Sequence, residues 1–335
     1  MTGQARAGPG RGRPRLLGVW SVANADNDSA EAALRRLRAV HPAGALRNAV
    51  LSLVVLVDDP RDTMSVLRVG DALGAALPSR VVVVSCLPDG PTKTRTSLVV
   101  RLVERDGAPP LCVEQLHLRA SGDAVAHVEA IVRPWLLPGL PVAVWVPARV
   151  PGATEPGVAG ADRVVVDSDR LGRVLDDGDL AALRDQPAID LAWVRLHPWR
   201  RLLADAFAAH DLSPMVRGFE RADIVGGAPW SALVGGWLTS RLDLAPANVR
   251  LVAGDRRAVH LWAQLPGRRT EVSAAVVGDH RVRVVTVAGG VERNHVVSLP
   301  AASLAADVGV SLTVGSGRDR GWEHAAAAAP ALAHA

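Results

Sequence analysis

Residues 49–60 read Ala-Val-Leu-Ser-Leu-Val-Val-Leu-Val-Asp-Asp-Pro, and this stretch decides the fold class. Its first nine residues form a nearly continuous apolar run, which is typical of a strand covered on both faces. After the Asp-Asp-Pro end of the run, residues 62–77 have helical periodicity, and a second apolar strand is predicted at 80–86. The order strand–helix–strand indicates an α/β protein with a partly parallel sheet.

The residues that follow extend this sheet and add a hairpin. The predicted elements are strands at 97–103 and 112–119 joined by a turn, a helix over 122–137, and strands at 140–146 and 163–167. We therefore expect an α/β domain over residues 16–245, built on a mixed, partly parallel layered sheet with flanking helices.

The pattern of predicted elements changes near residue 245, where a domain boundary is predicted. Short strands separated by Gly or Asp turns follow, so a smaller antiparallel β-rich domain is expected over residues 246–315. Residues 217–225, which precede the boundary, are interpreted as an edge strand. Residues 1–15 are predicted to be a disordered basic tail, and residues 316–335 a low-complexity tail that is frayed from His324 onward.

Composition excludes several classes of protein. The 335 residues are 49% hydrophobic and 21% charged, so the chain is not largely disordered. The pI of about 10.2 looks like that of a nucleic-acid binder. It is misleading, because Lys93 is the only lysine, tyrosine is absent and the net charge is only +4. No apolar run approaches the roughly 20 residues of a membrane span, and no signal-peptide core is present. We expect a cytoplasmic protein that binds neither membranes nor nucleic acid.

Catalytic signatures are not found. Lys93 lacks the glycine spacing of a phosphate-binding loop, and no glycines follow the first parallel strand as a dinucleotide site requires. His127-Val128-Glu129 resembles part of a zinc-deaminase motif, but the accompanying cysteine pair is missing. A nucleophile elbow is also absent. The sequence therefore predicts a protein that is not an enzyme and that holds no metal and no cofactor.

Several polar residues remain as candidates for a ligand site or a structural cluster. Asp58 and Asp59, at the end of a predicted parallel strand, fit a magnesium site or the cap of the next helix. The other candidates lie on the predicted strand 112–119 or in the turn and helix after it: Glu114, Gln115, Arg119, Ser121 and His127. They could bind an anion at the start of that helix, or form an internal hydrogen-bond network.

The two cysteines and a tryptophan-rich segment are further candidates. Cys86 and Cys112 are interpreted as buried packing residues, with a redox pair as the alternative if neighbouring strands bring them together. Trp and Arg dominate the hot spots of protein interfaces. The partner-binding hypothesis therefore rests on these four residues: Trp193, Trp199, Arg200 and Arg201.

An ordered series of motifs resembles the family of bacterial glucose-6-phosphate dehydrogenase assembly proteins, also called the OpcA family. The resemblance covers residues 30–300 and includes Pro78-Ser79-Arg80-Val81, Pro110-Leu111-Cys112-Val113-Glu114-Gln115, Arg119-Ala120-Ser121-Gly122, Pro134-Trp135-Leu136-Leu137-Pro138, Asp162-Arg163-Val164-Val165-Val166-Asp167-Ser168 and Asp190-Leu191-Ala192-Trp193-Val194-Arg195-Leu196.

This resemblance implies a non-catalytic role. Family members bind the dehydrogenase of the oxidative pentose phosphate pathway, promote its active oligomer or raise its affinity for glucose 6-phosphate, and so support NADPH production. We therefore expect glucose-6-phosphate dehydrogenase as the partner. The alternative is an α/β enzyme or sensor that binds a sugar phosphate or nucleotide in the cleft at the carboxyl ends of the strands, through Asp58, Arg119 and His127.

Overall fold

The computed structural model describes residues 14–45, 49–105, 108–155, 157–208, 218–265, 268–313 and 318–333. Most of the tail predicted at residues 1–15, and the start of the predicted C-terminal tail, lie outside these ranges. The chain divides into two compact units, one of residues 1–165 and 304–313 and the other of residues 166–303 and 314–335. Residue 245, where composition predicts a boundary, lies inside the second unit.

Within the described ranges, the α-helices are α1 (Asn27–Arg38), α2 (Pro60–Ala76), α3 (Val128–Val132), α4 (Ser168–Leu171), α5 (Asp177–Leu183), α6 (Leu191–Arg195), α7 (His197–Ala208), α8 (Trp230–Leu242), α9 (Leu304–Thr313) and α10 (Arg320–Ala333). No helix in these ranges is long and apolar enough to cross a lipid bilayer.

The first unit contains seven of the eight strands of a mixed sheet, counted over the described residues. They are β1 (Arg15–Ala23), β2 (Leu51–Val57), β3 (Ser79–Leu87), β4 (Lys93–Arg105), β5 (Ala108–Ser121), β6 (Val142–Trp145) and β7 (Arg163–Val166), in the spatial order β1-β4-β5-β3-β2-β6-β7. The strands from β5 to β7 in this order run parallel, whereas β4 is antiparallel to both β5 and β1. The predicted α/β class and the hairpin are confirmed.

The interior of this sheet explains why its strands could be predicted. All seven residues of β2 are buried, and so are the first eight residues of β3. Helix α2 packs on both strands, and its first turn begins with Pro60, a residue favoured at that position. An apolar side chain is therefore stabilising on either face, and the alternation typical of half-exposed strands disappears.

Two elements of the first unit differ from the prediction. Residues 122–137 do not form one helix, because 3-10 turns at Gly122–His127 and Arg133–Trp135 flank the five-residue α3. Pro134 cannot continue an α-helical hydrogen-bond ladder, which explains the second break. Strand β1 begins at Arg15 and pairs with β4, so the basic tail ends where this edge strand starts.

The second unit contains the short strand β8 (Ala188–Asp190) and a six-stranded sheet. The strands of that sheet are β9 (Phe219–Val225), β10 (Val249–Val252), β11 (Ala258–Leu265), β12 (Arg268–Gly278), β13 (Arg281–Ala288) and β14 (Val291–Ser298), in the order β10-β9-β11-β12-β13-β14. The predicted antiparallel ribbon is present from β11 to β14. The edge position predicted for residues 217–225 is wrong, because β10 follows α8 and pairs parallel to β9 on its outer side.

The C-terminal helix α10 lies where a frayed tail is expected from the sequence. Its buried side is made of Ala325, Ala326, Ala329 and Leu332. Small side chains allow α10 and α8 to approach closely, and a Cβ at Gly236 would clash with the carbonyl of Ala325. Low complexity here therefore reflects close helix packing rather than disorder.

Candidate functional site

The carboxyl edge of the first sheet contains the crevice expected for ligands in an open α/β fold. The chain passes from β2 through α2 to β3 on one side, while β6 lies on the other side of β2, so the connections diverge at the ends of β2 and β6. Asp58 follows β2, and Arg149 follows β6. Arg149 Nε donates to Asp58 Oδ2 at 2.5 Å, and its guanidinium also donates to Glu155 at 2.6 Å. Side chains of the protein itself therefore bridge this edge.

Asp59 is engaged separately from Asp58. It is the N-cap of α2 and accepts from the Arg61 backbone N–H at 2.9 Å, so the helix-cap interpretation is confirmed for this residue. The Asp59 carboxylate pairs with the Arg61 guanidinium, and the Asp58 carboxylate pairs with that of Arg149. The two carboxylates therefore do not converge as magnesium ligands. The negative charges of these two side chains at the start of α2 would also repel a phosphate bound there.

The opposite, amino edge holds a largely buried ion cluster that we call the Glu114 cluster: Arg38, Arg80 and Glu114. Arg38 binds both carboxylate oxygens of Glu114, with Nη2 at 2.6 Å from Oε2, and Arg80 Nη2 lies 2.9 Å from the same oxygen. Arg80 also donates to the Trp135 carbonyl at 3.1 Å. Burial acts to raise the pKa of Glu114, but the hydrogen bonds and charges of both arginines outweigh it and hold the pKa below its usual value.

A small cavity lies beside the Glu114 cluster. It has a volume of about 20 Å³ and is lined by residues that include Ser79 and Cys112. The Ser79 hydroxyl is buried and has no hydrogen-bond partner among the described residues. A volume of this size holds one water molecule, which would satisfy that hydroxyl. A sugar phosphate does not fit, so the cluster is structural: it joins α1, β3 and β5.

The other polar residues predicted around β5 are not brought together. Gln115 donates to the Leu67 carbonyl of α2 at 2.8 Å. Ser121 lies at the far end of the strand, and its hydroxyl donates to the carbonyls of Pro91 and Lys93 rather than capping a helix. Arg119 and His127 are exposed. The anion site predicted at this turn lacks a proper helix N-terminus, because only a 3-10 turn follows.

The two cysteines are far apart. The parallel register pairs Arg80 with Glu114 and Cys86 with Ala120, which leaves Cys112 eight residues behind Cys86 along the strand direction. At about 3.3 Å per residue the separation is about 26 Å, whereas a disulfide needs Cα atoms within about 7 Å. The redox pair is therefore wrong. Burial raises the pKa of each thiol to about 11.

We expect both thiols to react slowly with alkylating reagents near neutral pH. Because the thiolate is the nucleophile, a pKa of about 11 reduces the rate about a hundredfold relative to an ordinary exposed cysteine. Timed alkylation with mass-spectrometric readout should show Cys112, which is half-buried, reacting before the buried Cys86. Rapid labelling of both, or a bond between them, would contradict this assignment.

The tryptophan-rich segment is mostly core. Trp193 is 1% exposed and Trp199 is 4% exposed. The Trp193 Nε1–H donates to Asp319 at 2.8 Å, and the half-buried guanidinium of Arg200 lies 3.7 Å from the Trp193 ring centroid. Of the four residues in the partner-binding hypothesis, Arg201 alone is exposed. Neither indole can contact a partner without unfolding, so the hypothesis fails for both tryptophans.

A buried carboxylate explains one of the motifs that the sequence contains. Asp190 is fully buried and ends β8. Its oxygens accept from the Ser168 backbone N–H at 3.0 Å, the Ser168 hydroxyl at 2.5 Å and the Ala192 backbone N–H at 3.0 Å. Nearby, Arg195 donates to Asp167 at 2.6 Å. The motifs 162–168 and 190–196 therefore meet in a structural network.

One face of the six-stranded sheet differs sharply from the other. On the inner face, the central positions are apolar and fully buried, among them Ile224, Leu261, Val272 and Val284. The opposite face is half-exposed, and we call it the open face. Strand register places these side chains on it: Arg221, Asp223, Arg250, His260, Trp262, Glu271, Ser273, Val285, Val287 and Glu292.

Aromatic and charged groups are organised at the centre of the open face. The Trp262 ring stacks on His260, with centroids 5.9 Å apart, and the Arg221 guanidinium lies 5.1 Å from the Trp262 centroid. Asp223 holds Arg221 at 2.8 Å and Arg250 at 2.5 Å. Sequence reasoning missed this group. The sequence His-Leu-Trp at 260–262 could have indicated it, because alternation along a strand places His260 and Trp262 on one face and Leu261 on the other.

Comparison with known families places two domain types along the chain. The glucose-6-phosphate dehydrogenase subunit N-terminal domain family matches residues 70–185, and the corresponding C-terminal domain family matches residues 186–326. Together they cover most of the sequence. Their junction lies about 20 residues after the division between the two compact units.

Two curated relatives have the same description. The OxPP cycle protein OpcA of Synechocystis sp. is 25% identical over 234 residues, covering 63% of this chain and 49% of the relative. The protein of the same description from Nostoc punctiforme is 26% identical over 201 residues, covering 56% and 43%. The chain therefore spans about half the length of the curated relatives that it matches.

Solved structures give only distant similarity. KijD10, a 3-ketoreductase from Actinomadura kijaniata, superposes with a TM-score of 0.46 at 11% identity, covering 85% of this chain and 96% of that one. The transcriptional regulator Gal80p of Kluyveromyces lactis gives a TM-score of 0.40 at 8% identity, covering 86% and 92%.

Proposed function

The chain belongs to the OpcA family of glucose-6-phosphate dehydrogenase subunits, and from this premise we propose that it is a non-catalytic assembly factor that binds glucose-6-phosphate dehydrogenase in the cytoplasm. The family match carries the proposal, because it runs from residue 70 to residue 326 and so includes parts of both compact units. The absence of a catalytic motif in the sequence is consistent with a protein that acts through a partner.

An activator of this kind works by differential binding. It must bind the active conformation or oligomer of the dehydrogenase more tightly than the inactive form, and the difference in affinity sets the size of the effect. The result would be a larger fraction of active dehydrogenase or a higher affinity for glucose 6-phosphate, and hence more NADPH. This chain needs an exposed surface for that contact, rather than a reactive cleft.

The open face supports the contact better than the tryptophan-rich segment does. Trp262 and Arg221 belong to the residue types that dominate interface hot spots, and both remain accessible. Asp223 already fixes the Arg221 guanidinium, so little side-chain entropy is lost on binding. The charged side chains named on this face are two arginines and three acids, so neither sign of charge dominates among them.

We expect Trp262→Ala to weaken binding of the dehydrogenase at least about tenfold, as loss of a hot-spot indole does. The measurement is dehydrogenase rate against glucose 6-phosphate concentration, with and without this chain, using the dehydrogenase of the same organism. The wild-type chain should lower the apparent KM or raise the maximal rate. The variant should need a correspondingly higher concentration for the same effect.

Trp237→Ala is the matched control, because Trp237 is a half-buried tryptophan on helix α8 instead of the open face. Thermal unfolding of each variant separates loss of binding from loss of fold. If the wild-type chain changes neither the kinetics nor the sedimentation of the dehydrogenase, the assembly function is wrong. If both tryptophan variants activate normally, the function stands but the open face is not the contact.

No observation favours the alternative, a site for a sugar phosphate or nucleotide. Asp58 is paired with Arg149, and among the described residues no hydrogen bond or ion pair joins Arg119 or His127 to either of them. Across the described ranges, no three His, Cys, Asp or Glu side chains gather as metal ligands do.

A further inference from the structure

Strand β1 leaves one edge of the first sheet open. In the described part of the chain it pairs only with β4, and Leu16, Val19 and Val22 are 54%, 57% and 40% exposed. An exposed apolar edge strand is a template for pairing with another chain. We propose that β1 pairs antiparallel with β1 of a second copy of this chain, giving a two-fold symmetric dimer with a continuous sheet.

The free hydrogen-bonding groups restrict the registers in which this pairing can form. Asn24 N–H donates to the Thr94 carbonyl at 2.9 Å, so even-numbered residues of β1 make hydrogen-bonded pairs with β4. In an antiparallel ladder the N–H and C=O groups of the intervening residues then point outward. Val19 and Ser21 therefore present the free edge.

A two-fold axis at Trp20 matches these groups. Val19 of each copy then lies opposite Ser21 of the other, and the two pairs exchange four backbone hydrogen bonds. The Trp20 side chains lie opposite each other in the close, non-hydrogen-bonded position, where aromatic pairs are favourable. A register irregularity between Leu16 and Gly18 ends the regular ladder on one side, which keeps the pairing short and centred on Trp20.

Charges on helix α1 identify the occupant as a second copy. Ser29, Ala32, Arg35 and Arg36 line an open groove together with Trp20, so this side of α1 faces the free edge. Asp28 lies in the first turn of α1, whereas both arginines lie in the last turn. None of these three charged side chains makes an ion pair within the described ranges. In a two-fold dimer the two α1 helices run antiparallel, so the acid of one faces the arginines of the other.

The spacing also fits. Helix α1 contacts both β1 and β4, so its axis lies about one strand spacing from the two-fold axis. With strands about 4.8 Å apart, the two α1 axes are about 10 Å apart, a normal distance for packed helices. Ser29 and Ala32 are small enough to allow this approach.

Sedimentation velocity of the full chain, over a range up to about 100 µM, tests the dimer. We expect a monomer–dimer equilibrium. Val19→Lys places charges at the edge, and Arg36→Glu places an acid opposite Asp28, so each should raise the dissociation constant at least about tenfold. Adding Asp28→Lys to Arg36→Glu reverses both charges and should recover most of the loss. Arg133→Glu, at an exposed position on another surface, is the control.

Amide hydrogen exchange gives an independent readout. The Val19 and Ser21 amides should be protected at high concentration and exchange freely after dilution, while the amides of β2 stay protected throughout. A monomer at all concentrations, or a dimer that is unchanged by both Val19→Lys and the charge reversal, would overturn the proposal. Protection of these amides only when the dehydrogenase is present would also overturn it, because the occupant would then be a foreign strand.

Discussion

Replacing Glu114 with alanine is expected to lower the free energy of unfolding by about 3 kcal/mol or more, because two guanidinium groups would be left without their carboxylate. The side chains of Arg38 and Arg80 are only 12% and 10% exposed, so bulk water would solvate the unpaired charges poorly. A variant that removes all three charges of the Glu114 cluster together leaves none of them without its partner in the cluster. The triple variant Arg38→Met, Arg80→Met, Glu114→Leu should therefore be more stable than Glu114→Ala alone.

Urea unfolding measures these differences, and an unchanged slope with denaturant confirms that compactness has not changed. Glu129→Ala is the control. Glu129 pairs with Arg133 on the surface at 3.2 Å, and its removal should alter stability by less than about 1 kcal/mol. If Glu114→Ala and Glu129→Ala have equal effects, the cluster does not stabilise the fold.

The same variants separate a structural role from a functional one. Glu114 belongs to one of the motifs on which the family resemblance rests. Such a residue is easily mistaken for one that binds a ligand or partner. Glu114 makes its contacts within the protein, so under the proposed assembly function the triple variant should still act on the dehydrogenase in proportion to its folded fraction. A well-folded triple variant that has lost activation would assign the cluster a role in binding.

The parts of the fold that could be predicted are those in which local pattern and tertiary environment agree. Strand β2 is buried on both faces, so its continuous apolar sequence has one simple interpretation. Strand β1 contains Gly18 and lies beside a Gly- and Arg-rich stretch, and only its pairing with β4 makes it a strand. Half of the residues of helix α10 are alanine, and its order depends on close packing against α8.

The candidate sites were harder to predict because their members are distant in sequence. Arg38 and Glu114 are 76 residues apart, and no spacing rule joins them. Composition at Trp193 and Trp199 matches that of an interface, but composition cannot distinguish a core indole from a surface one. The exposure of Trp262, conversely, could not be predicted from its neighbours in the sequence. One face of its strand is buried and the other is half-exposed, and that asymmetry is a property of the whole sheet.

A common principle links the three polar clusters of the protein. At the carboxyl edge, at the Glu114 cluster and around Asp190, the charged groups have ion-pair or hydrogen-bond partners inside the chain, and the cavities beside the latter two are too small for a metabolite. The accessible recognition features are instead extended: the open face and the free edge of β1. A protein arranged in this way is suited to bind other proteins, which agrees with an assembly role.

Replacing Asp190 with asparagine is expected to change how stability depends on pH. Burial raises the pKa of Asp190 to about 6, even though three hydrogen bonds favour the charged form. The folded state therefore binds this proton more tightly than the unfolded state, whose pKa is near 3.8. Stability contributed by the proton is present below about pH 4 and is lost as pH rises through 6. The difference amounts to about 3 kcal/mol.

The asparagine side chain keeps an oxygen for the Ser168 and Ala192 backbone N–H groups but cannot ionise. Its free energy of unfolding, relative to wild type, should therefore increase by about 2 kcal/mol between pH 4 and pH 7, where most of the difference is lost. Asp190→Ala removes the acceptors as well and should be destabilised at both pH values, since two backbone donors would be buried without partners. Denaturant unfolding at several pH values measures all three proteins. Parallel curves for wild type and Asp190→Asn would mean that the carboxylate keeps an ordinary pKa in the fold, and that its burial is compensated by the surrounding donors.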